Sequence, residues 1–209
     1  DLALESEAAM QLGMRLAQAF ELESDPLQRA WKRILTPAAK FWVCKRAVAC
    51  TAEAMEVLGG NGYVESSVLA RLLREAPVNS IWEGSGNIMC LDVLRAMAKE
   101  PEAAALLLQD LHQQASQAPL LQKTLQDLTQ MLRQPPALQE AHARHTVQQL
   151  VLVAQACLLR SHAPQEVADA FIATRLGTTA SGWVVGAIAV PPADIQVILE
   201  RALPTVKST

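Results

Sequence analysis

The chain has 209 residues, enough for one large domain or two small ones, and carries 18 basic and 21 acidic side chains. Its formal net charge of −3 excludes a general electrostatic attraction to nucleic acid, so any DNA-binding face must come from local clusters of Lys and Arg. Apolar residues make up 51 % of the chain, and its many Ala, Leu and Gln residues favour helices. We therefore predict an all-α fold.

The cysteines and histidines do not indicate a metal site. The four cysteines lie in apolar helical patterns, which predicts buried free thiols in a reducing compartment. Neither they nor the four histidines have the ligand spacing of a zinc site, so no metal is expected. No signal peptide is visible, and the apolar run 180–190 is too short to span a bilayer, which makes a cytoplasmic protein the expectation.

Helical periodicity divides the first half into segments at 1–22, 26–34, 37–58, 69–75 and 88–99. Thr36 before Pro37 is typical of an N-cap with proline at the first helical position. The glycine-rich run 59–62 should end the long third helix in a turn with several positive φ angles. Pro77 should end the fourth helix.

Beyond Pro101 the composition changes, because Leu, Gln and Ala dominate and glycine is absent until residue 177. Prolines separate predicted helices at 102–117, 119–133, 136–162 and 164–176. A Gly- and Val-rich segment at 178–192 is predicted to be tightly packed, either irregular or helical, and a last helix covers 193–203. Short loops indicate antiparallel neighbours in a bundle. We expect two domains, 1–99 and 100–209.

The segment from Pro77 to Asn87 has the strongest chemical pattern in the chain. Glu83 is followed by Gly84, Ser85 and Gly86, whose small side chains let a ligand approach the backbone. Ser85 and Asn87 are good N-cap types for the following helix, whose N–H groups suit a phosphate. Glu83 would then be a candidate general base beside an anion-binding turn. A surface glutamate before a capped helix explains the same spacing more simply.

Basic residues are frequent between residues 29 and 46, where ion pairs on a solvated face and a phosphate-contacting surface are both open interpretations. Arg74 is expected to order its loop through an ion pair, with substrate contact as the alternative.

Three segments together resemble the C-terminal helical domain of acyl-CoA dehydrogenases. They are Glu56 to Tyr63 with its Gly-Gly-x-Gly-aromatic turn, Arg74-Glu75-Ala76, and Trp82-Glu83-Gly84-Ser85. The last segment and its continuation through residue 95 resemble the AidB-like subgroup, which is associated with the response to DNA alkylation. The resemblance covers residues 1–99, with weaker motifs beyond. It implies that the N-terminal and middle domains are absent and that the chain is a piece of a larger protein.

The resemblance implies FAD as the cofactor and an acyl-CoA thioester as the substrate. Glu83 matches the carboxylate that removes the α-proton. Gly59, Gly60, Gly84, Ser85 and Asn87 match positions near the flavin, and Trp82, in place of the usual Tyr, lies at the acyl pocket. Glu56 stands where the family usually has Gln, so its contact with the cofactor is not carried over.

Three hypotheses follow for the complete protein. It is an ordinary acyl-CoA dehydrogenase, or an AidB-like flavoprotein that binds double-stranded DNA, with Arg95 and Arg175 as the candidate phosphate contacts. In the third, these helices serve mainly as the core of a homo-oligomer, a tetramer by resemblance. We take the AidB-like flavoprotein as the leading hypothesis.

Overall fold

The computed structural model describes residues 1–177 and 184–203 of the chain. All regular secondary structure in these two ranges is helical, which confirms the all-α prediction. The α-helices are α1 Leu2–Glu21, α2 Pro26–Ala30, α3 Thr36–Val57, α4 Gly60–Tyr63, α5 Val68–Asn79, α6 Gly86–Lys99, α7 Pro101–Gln114, α8 Pro119–Leu132, α9 Pro136–Ala141, α10 Ala143–His162, α11 Gln165–Leu176 and α12 Pro192–Ala202. A π-helical segment, Trp31–Leu35, joins α2 to α3.

The predicted N-cap at Thr36 is wrong, because the chain remains helical from Pro26 to Val57. The side chain of Asp25 caps this run by accepting hydrogen bonds from the backbone N–H groups of Leu27 and Gln28. Pro37 lacks an N–H and would crowd the preceding turn of an α-helix. The wider π-helical turn directly before it accommodates this defect without breaking the helix.

Other boundaries also differ from the predictions. Pro77 lies inside α5, which continues to Asn79 instead of ending at the proline. The predicted helix 136–162 is broken at His142 into α9 and α10. In the glycine-rich run only Gly59 has a positive φ, 57°, because Gly60 already begins a helical turn. Of the segment predicted at 178–192, residues 178–183 lie outside the described ranges, and 184–191 contain no helix.

The core is built around α10. Its side chains from Val147 to Leu159 are almost all buried, and it packs against α1, α3, α6, α7, α8 and α11. The buried side chains form one hydrophobic cluster that runs from Leu4 in α1 to Ile198 in α12. The two parts of the chain therefore share a core. The division of the chain into two domains at residue 99 stays a prediction from the sequence.

A buried carboxylate in the first helix links α1 to α3 and α11. Glu5 in α1 is 6 % exposed, and its oxygens lie 3.1 Å from Nε of Arg46 in α3 and 2.9 Å from Nη2 of Arg175 in α11. Arg175 also pairs with Asp1 and lies over the ring of Phe171. Because burial strengthens an ion pair but penalises an unpaired charge, these three helices depend on one another.

The cysteines are free thiols, as predicted, but only Cys90 and Cys157 are fully buried, while Cys44 and Cys50 are half-buried. Burial raises the pKa of the Cys90 thiol to about 11 and that of Cys157 to about 12.

Within residues 1–177 and 184–203, no group of His, Cys, Asp and Glu side chains could hold a metal ion. No helix in the same ranges is both long and apolar enough to cross a membrane.

We predict that Glu5→Gln lowers the free energy of unfolding by about 3 kcal/mol, because the change leaves the buried guanidinium of Arg175 and the half-buried guanidinium of Arg46 without their shared carboxylate. Urea denaturation followed by circular dichroism measures this loss. Glu56→Gln, at an exposed position on α3, is the matched control and should change stability little. A loss for Glu5→Gln no larger than that of the control would contradict the structural role of Glu5.

Candidate functional site

The loop between α5 and α6 presents Glu83 in an unusual backbone conformation. Glu83 has φ 56° and Gly84 has φ 109°, so two successive residues adopt positive φ. For a residue with a side chain this conformation costs about 1 kcal/mol. Such a conformation persists only where the surroundings hold it, and it occurs preferentially at functional sites. The side chain of Glu83 is exposed, with Trp82 60 % exposed beside it.

Lys40 holds this loop from α3. Its ammonium donates hydrogen bonds to the carbonyl oxygens of Trp82 and Gly84, the residues on either side of Glu83. Lys40 also lines a small gap together with Ser80, Gly84 and Met89. The half-buried lysine therefore fixes the backbone on both sides of the candidate base.

Glu83 lies at the edge of a cleft of about 600 Å³ between the π-helical segment, α3 and α6. The cleft also contains the apolar side chains of Phe20, Pro37 and Met89. Its charged lining residues are four cations and four carboxylates: Arg29, Lys32, Arg33, Lys40, Glu23, Glu83, Asp92 and Glu100.

Most of the cleft's charges are paired with one another. Lys32 Nζ lies 2.5 Å from Glu23 Oε2, and Arg33 Nη1 donates to Asp92 Oδ2 at 2.8 Å. The hydrogen bond from Arg33 lowers the pKa of Asp92. Ion pairing, one of the two open interpretations of this basic region, is therefore confirmed for these residues. Glu83 has no ion-pair partner in the described part of the chain, which leaves its carboxylate available to a ligand.

The N-terminus of α6 lies three residues after Glu83, at Gly86. Ser85 occupies the N-cap position, as predicted, but its hydroxyl makes no capping hydrogen bond. The first N–H groups of the helix therefore lack a side-chain partner, and Lys45 lies close to Gly86. The helix begins earlier than predicted, so Asn87 is an exposed helical residue and not a cap. An anionic group could bind at this end of α6.

The glycine turn lies between α3 and α4, beyond the end of the long helix. No atom lies within 4 Å of a Cβ built on Gly59 or Gly60, so the backbone is open to a ligand there. Gly62 has a different role, because a Cβ would collide with the carbonyl oxygen of Met55. Gly62 thus allows α4 to pack closely on α3.

The three arginines that the sequence analysis singled out lie outside the loop and the cleft. Arg95 is exposed on α6 and has no ion-pair partner within the described ranges. Arg175 is buried in the Glu5 ion network, with its side chain 8 % exposed, so the structure offers no support for a phosphate contact there. Arg74 forms the expected ion pair, with two hydrogen bonds to Glu65 of 2.8 and 2.9 Å.

The sequence reasoning missed the role of Lys40, which it treated only as part of a basic region. The partners of Lys40 are backbone carbonyls 42 and 44 residues away, and such contacts leave no pattern in the side chains. One signal in the sequence was available. Lys40 lies in the first turns of α3, directly before the apolar Phe41, where a lysine is close to the core.

Residues 1–98 match the family described as Acyl-CoA dehydrogenase, C-terminal domain. The chain is 57 % identical over 106 residues to AidB of Escherichia coli, a match covering 51 % of this chain and 20 % of that protein. It is 40 % identical over 92 residues to acyl-CoA dehydrogenase family member 11 of Caenorhabditis elegans, covering 44 % of this chain and 14 % of that protein. The chain thus spans a fifth or less of these relatives.

Two solved structures share the fold. The structure described as Bd2924 apo-form has a TM-score of 0.68 and 28 % identity, covering 76 % of this chain and 31 % of its own. The crystal structure of Caenorhabditis elegans ACDH-11 in complex with C11-CoA has a TM-score of 0.71 and 23 % identity, covering 98 % of this chain and 39 % of its own. The second match extends the fold similarity to the helices after residue 99.

Residues 1–98 therefore match the C-terminal domain of acyl-CoA dehydrogenases, as the sequence resemblance predicted. The identity to AidB over 106 residues confirms the predicted resemblance to the AidB-like subgroup.

We predict that Gly84→Ala destabilises the chain by about 2 kcal/mol, because alanine is strained at a φ of 109° and its Cβ would collide with Met89 Cε. Thermal unfolding measures the effect. Gly60→Ala is the matched control, since Gly60 has a helical conformation and open space around it. Equal melting temperatures for the two variants would contradict the loop conformation described here.

Proposed function

We propose that the complete protein containing this chain is an AidB-like FAD flavoprotein with acyl-CoA dehydrogenase architecture and a role in the response to DNA alkylation. The observation that carries the enzymatic part is the exposed carboxylate of Glu83, held at positive φ by Lys40 at the edge of a cleft. An ordinary acyl-CoA dehydrogenase, oxidising an acyl-CoA to the enoyl-CoA, is the alternative with the same site.

In this proposal Glu83 removes the α-proton of the acyl thioester. A general base must reach the proton in a fixed geometry, and the constrained backbone at Glu83 meets that requirement. Since Trp82 is larger than tyrosine, we expect it to narrow the acyl pocket.

The chain's own residues fit a cofactor that carries phosphates. The N-terminus of α6 has N–H groups without a side-chain cap, and the backbone is open at Gly59 and Gly60. We propose that Gly84, Ser85 and Asn87 contact FAD, and that Gly59 and Gly60 contact it from a neighbouring subunit. Bound there, FAD would supply the acceptor for a hydride from the β-carbon of the thioester.

A set of exposed apolar residues supports the proposal of a homo-oligomer, a tetramer by resemblance. Each is at least 45 % exposed, and they lie on or beside α3, α4, α5 and the start of α6, of which α3 contacts the other three. The residues are Val57, Leu58, Tyr63, Val64, Val68, Val78, Ile81, Trp82 and Ile88. Apolar surface of this extent is typical of a face that is covered by another domain or subunit.

We predict that Glu83→Gln in the complete protein lowers dehydrogenase turnover at least ~100-fold while FAD stays bound, because an amide cannot accept the proton. Stopped-flow reduction of the flavin by acyl-CoA gives the rate, and the flavin absorbance gives the occupancy. Glu75→Gln, an exposed carboxylate on α5, is the control and should leave the rate unchanged. Undiminished reduction in Glu83→Gln would remove Glu83 from the role of base.

A local cluster of positive charge supports the DNA-binding part of the proposal. Asp92 lies near the charges of Arg33, Arg95 and Lys99, and Glu100 lies 3.9 Å from Arg33, so two carboxylates face three cations. Arg95 and Lys99 are both exposed and form no ion pair in the described ranges. Phosphate contacts of this kind do not depend on sequence and weaken with salt.

For DNA binding, we predict that Arg95→Ala weakens binding of this chain to a short fluorescent duplex and reduces the slope of log K against log salt concentration by about 1. Fluorescence anisotropy over a salt series measures both quantities. Arg133→Ala, at an exposed arginine that ends α8, is the control. A slope equal to that of the unchanged chain would exclude a phosphate contact by Arg95.

A further inference from the structure

We infer that Lys40 is a positioning residue for Glu83, whose ammonium holds the loop in the conformation that presents the carboxylate to the cleft. This inference rests on the proposed role of Glu83 as the base. Lys40 does not contact the reacting atoms, and it acts through the backbone on both sides of Glu83.

The hydrogen bonds of Lys40 define this role. Its Nζ donates to the carbonyl oxygens of Trp82 and Gly84, so one ammonium bridges the peptide groups that flank Glu83. A charged donor makes stronger hydrogen bonds than a neutral one. These bonds oppose the relaxation of Glu83 from φ 56° to an ordinary negative φ, which would swing its side chain away from its present position.

Lys40 is itself held in place by the helix on which it lies. Ala38 and Phe41, on the same turn of α3, are buried in the core and fix the rotation of the helix. The wider turn of the π-helical segment before Pro37 also helps to set the direction in which the side chain of Lys40 leaves α3. Because Phe41 packs in the core, Lys40 faces the loop with Glu83. Its side chain lines a small gap together with Ser80, Gly84 and Met89.

The charge of Lys40 is not used elsewhere. The other cations of the cleft that form ion pairs, Lys32 and Arg33, pair with side-chain carboxylates. Lys40 forms no ion pair in the described ranges, and its side-chain hydrogen bonds there go to the two loop carbonyls. A lysine needed only for solubility or for a surface ion pair would not be arranged in this way.

Proteolysis of this chain with a glutamate-specific protease tests the positioning directly, since cleavage after Glu83 requires the loop to open. We expect Lys40→Met to accelerate that cleavage about tenfold, Lys40→Arg to retain most of the protection, and Lys123→Met, at an exposed lysine on α8, to change nothing. Cleavage after Glu65, in a separate exposed turn, is the control for protease activity, and cleavage after the buried Glu5 reports global unfolding. Equal cleavage at Glu83 in Lys40→Met and the unchanged chain would overturn the inference.

Kinetics of the complete protein separate this inference from the proposed function. If Glu83 is the base, we expect Lys40→Met to lower kcat at least ~10-fold with KM and flavin absorbance nearly unchanged, and Lys40→Arg to restore most of the rate. An unchanged kcat in Lys40→Met would overturn the inference while leaving the role of Glu83 intact. If neither the unchanged protein nor Lys40→Arg reduces its flavin with any acyl-CoA, the proposed function fails, and the proteolysis still decides whether Lys40 orders the loop.

Discussion

The pairing of one buried carboxylate with two guanidinium groups is the constraint on which the arrangement of this chain depends. Glu5 lies between Arg46 and Arg175, and so connects the first helix, the long third helix and a helix near the end of the chain. A charge with this little exposure is tolerated only with its partners in place. The helices beyond residue 99 are therefore tied to the acyl-CoA dehydrogenase domain by charge as well as by the common core around α10.

This shared core gives the loop with Glu83 a rigid support. The loop is anchored on one side by Lys40 of α3 and on the other by α6, which begins at Gly86. Both helices pack against α10, whose residues are among the most completely buried in the chain. A strained backbone needs support of this kind, because it relaxes wherever the surrounding structure yields. The helices beyond residue 99 therefore support the loop with Glu83 through α10, although none of their residues lies in the site.

The sequence was sufficient for the parts of the fold that depend on local pattern. The helical class, most helix positions and the N-cap position of Ser85 followed from periodicity and capping rules. The predictions at Pro37 and Pro77 were wrong because helical packing overrode a local signal against helix. Arg175 pairs with Glu5, which lies 170 residues away in the chain, and no local rule locates such a contact.

Hydrogen exchange of this chain, measured by mass spectrometry over increasing denaturant, is the most direct test of the claim that both parts share one core. We expect peptides from α6 and α10 to lose protection in a single transition at the same denaturant concentration, because their buried side chains belong to one cluster. Separate transitions, with α10 retaining protection after α6 has lost it, would show that the helices beyond residue 99 fold independently and would contradict the account.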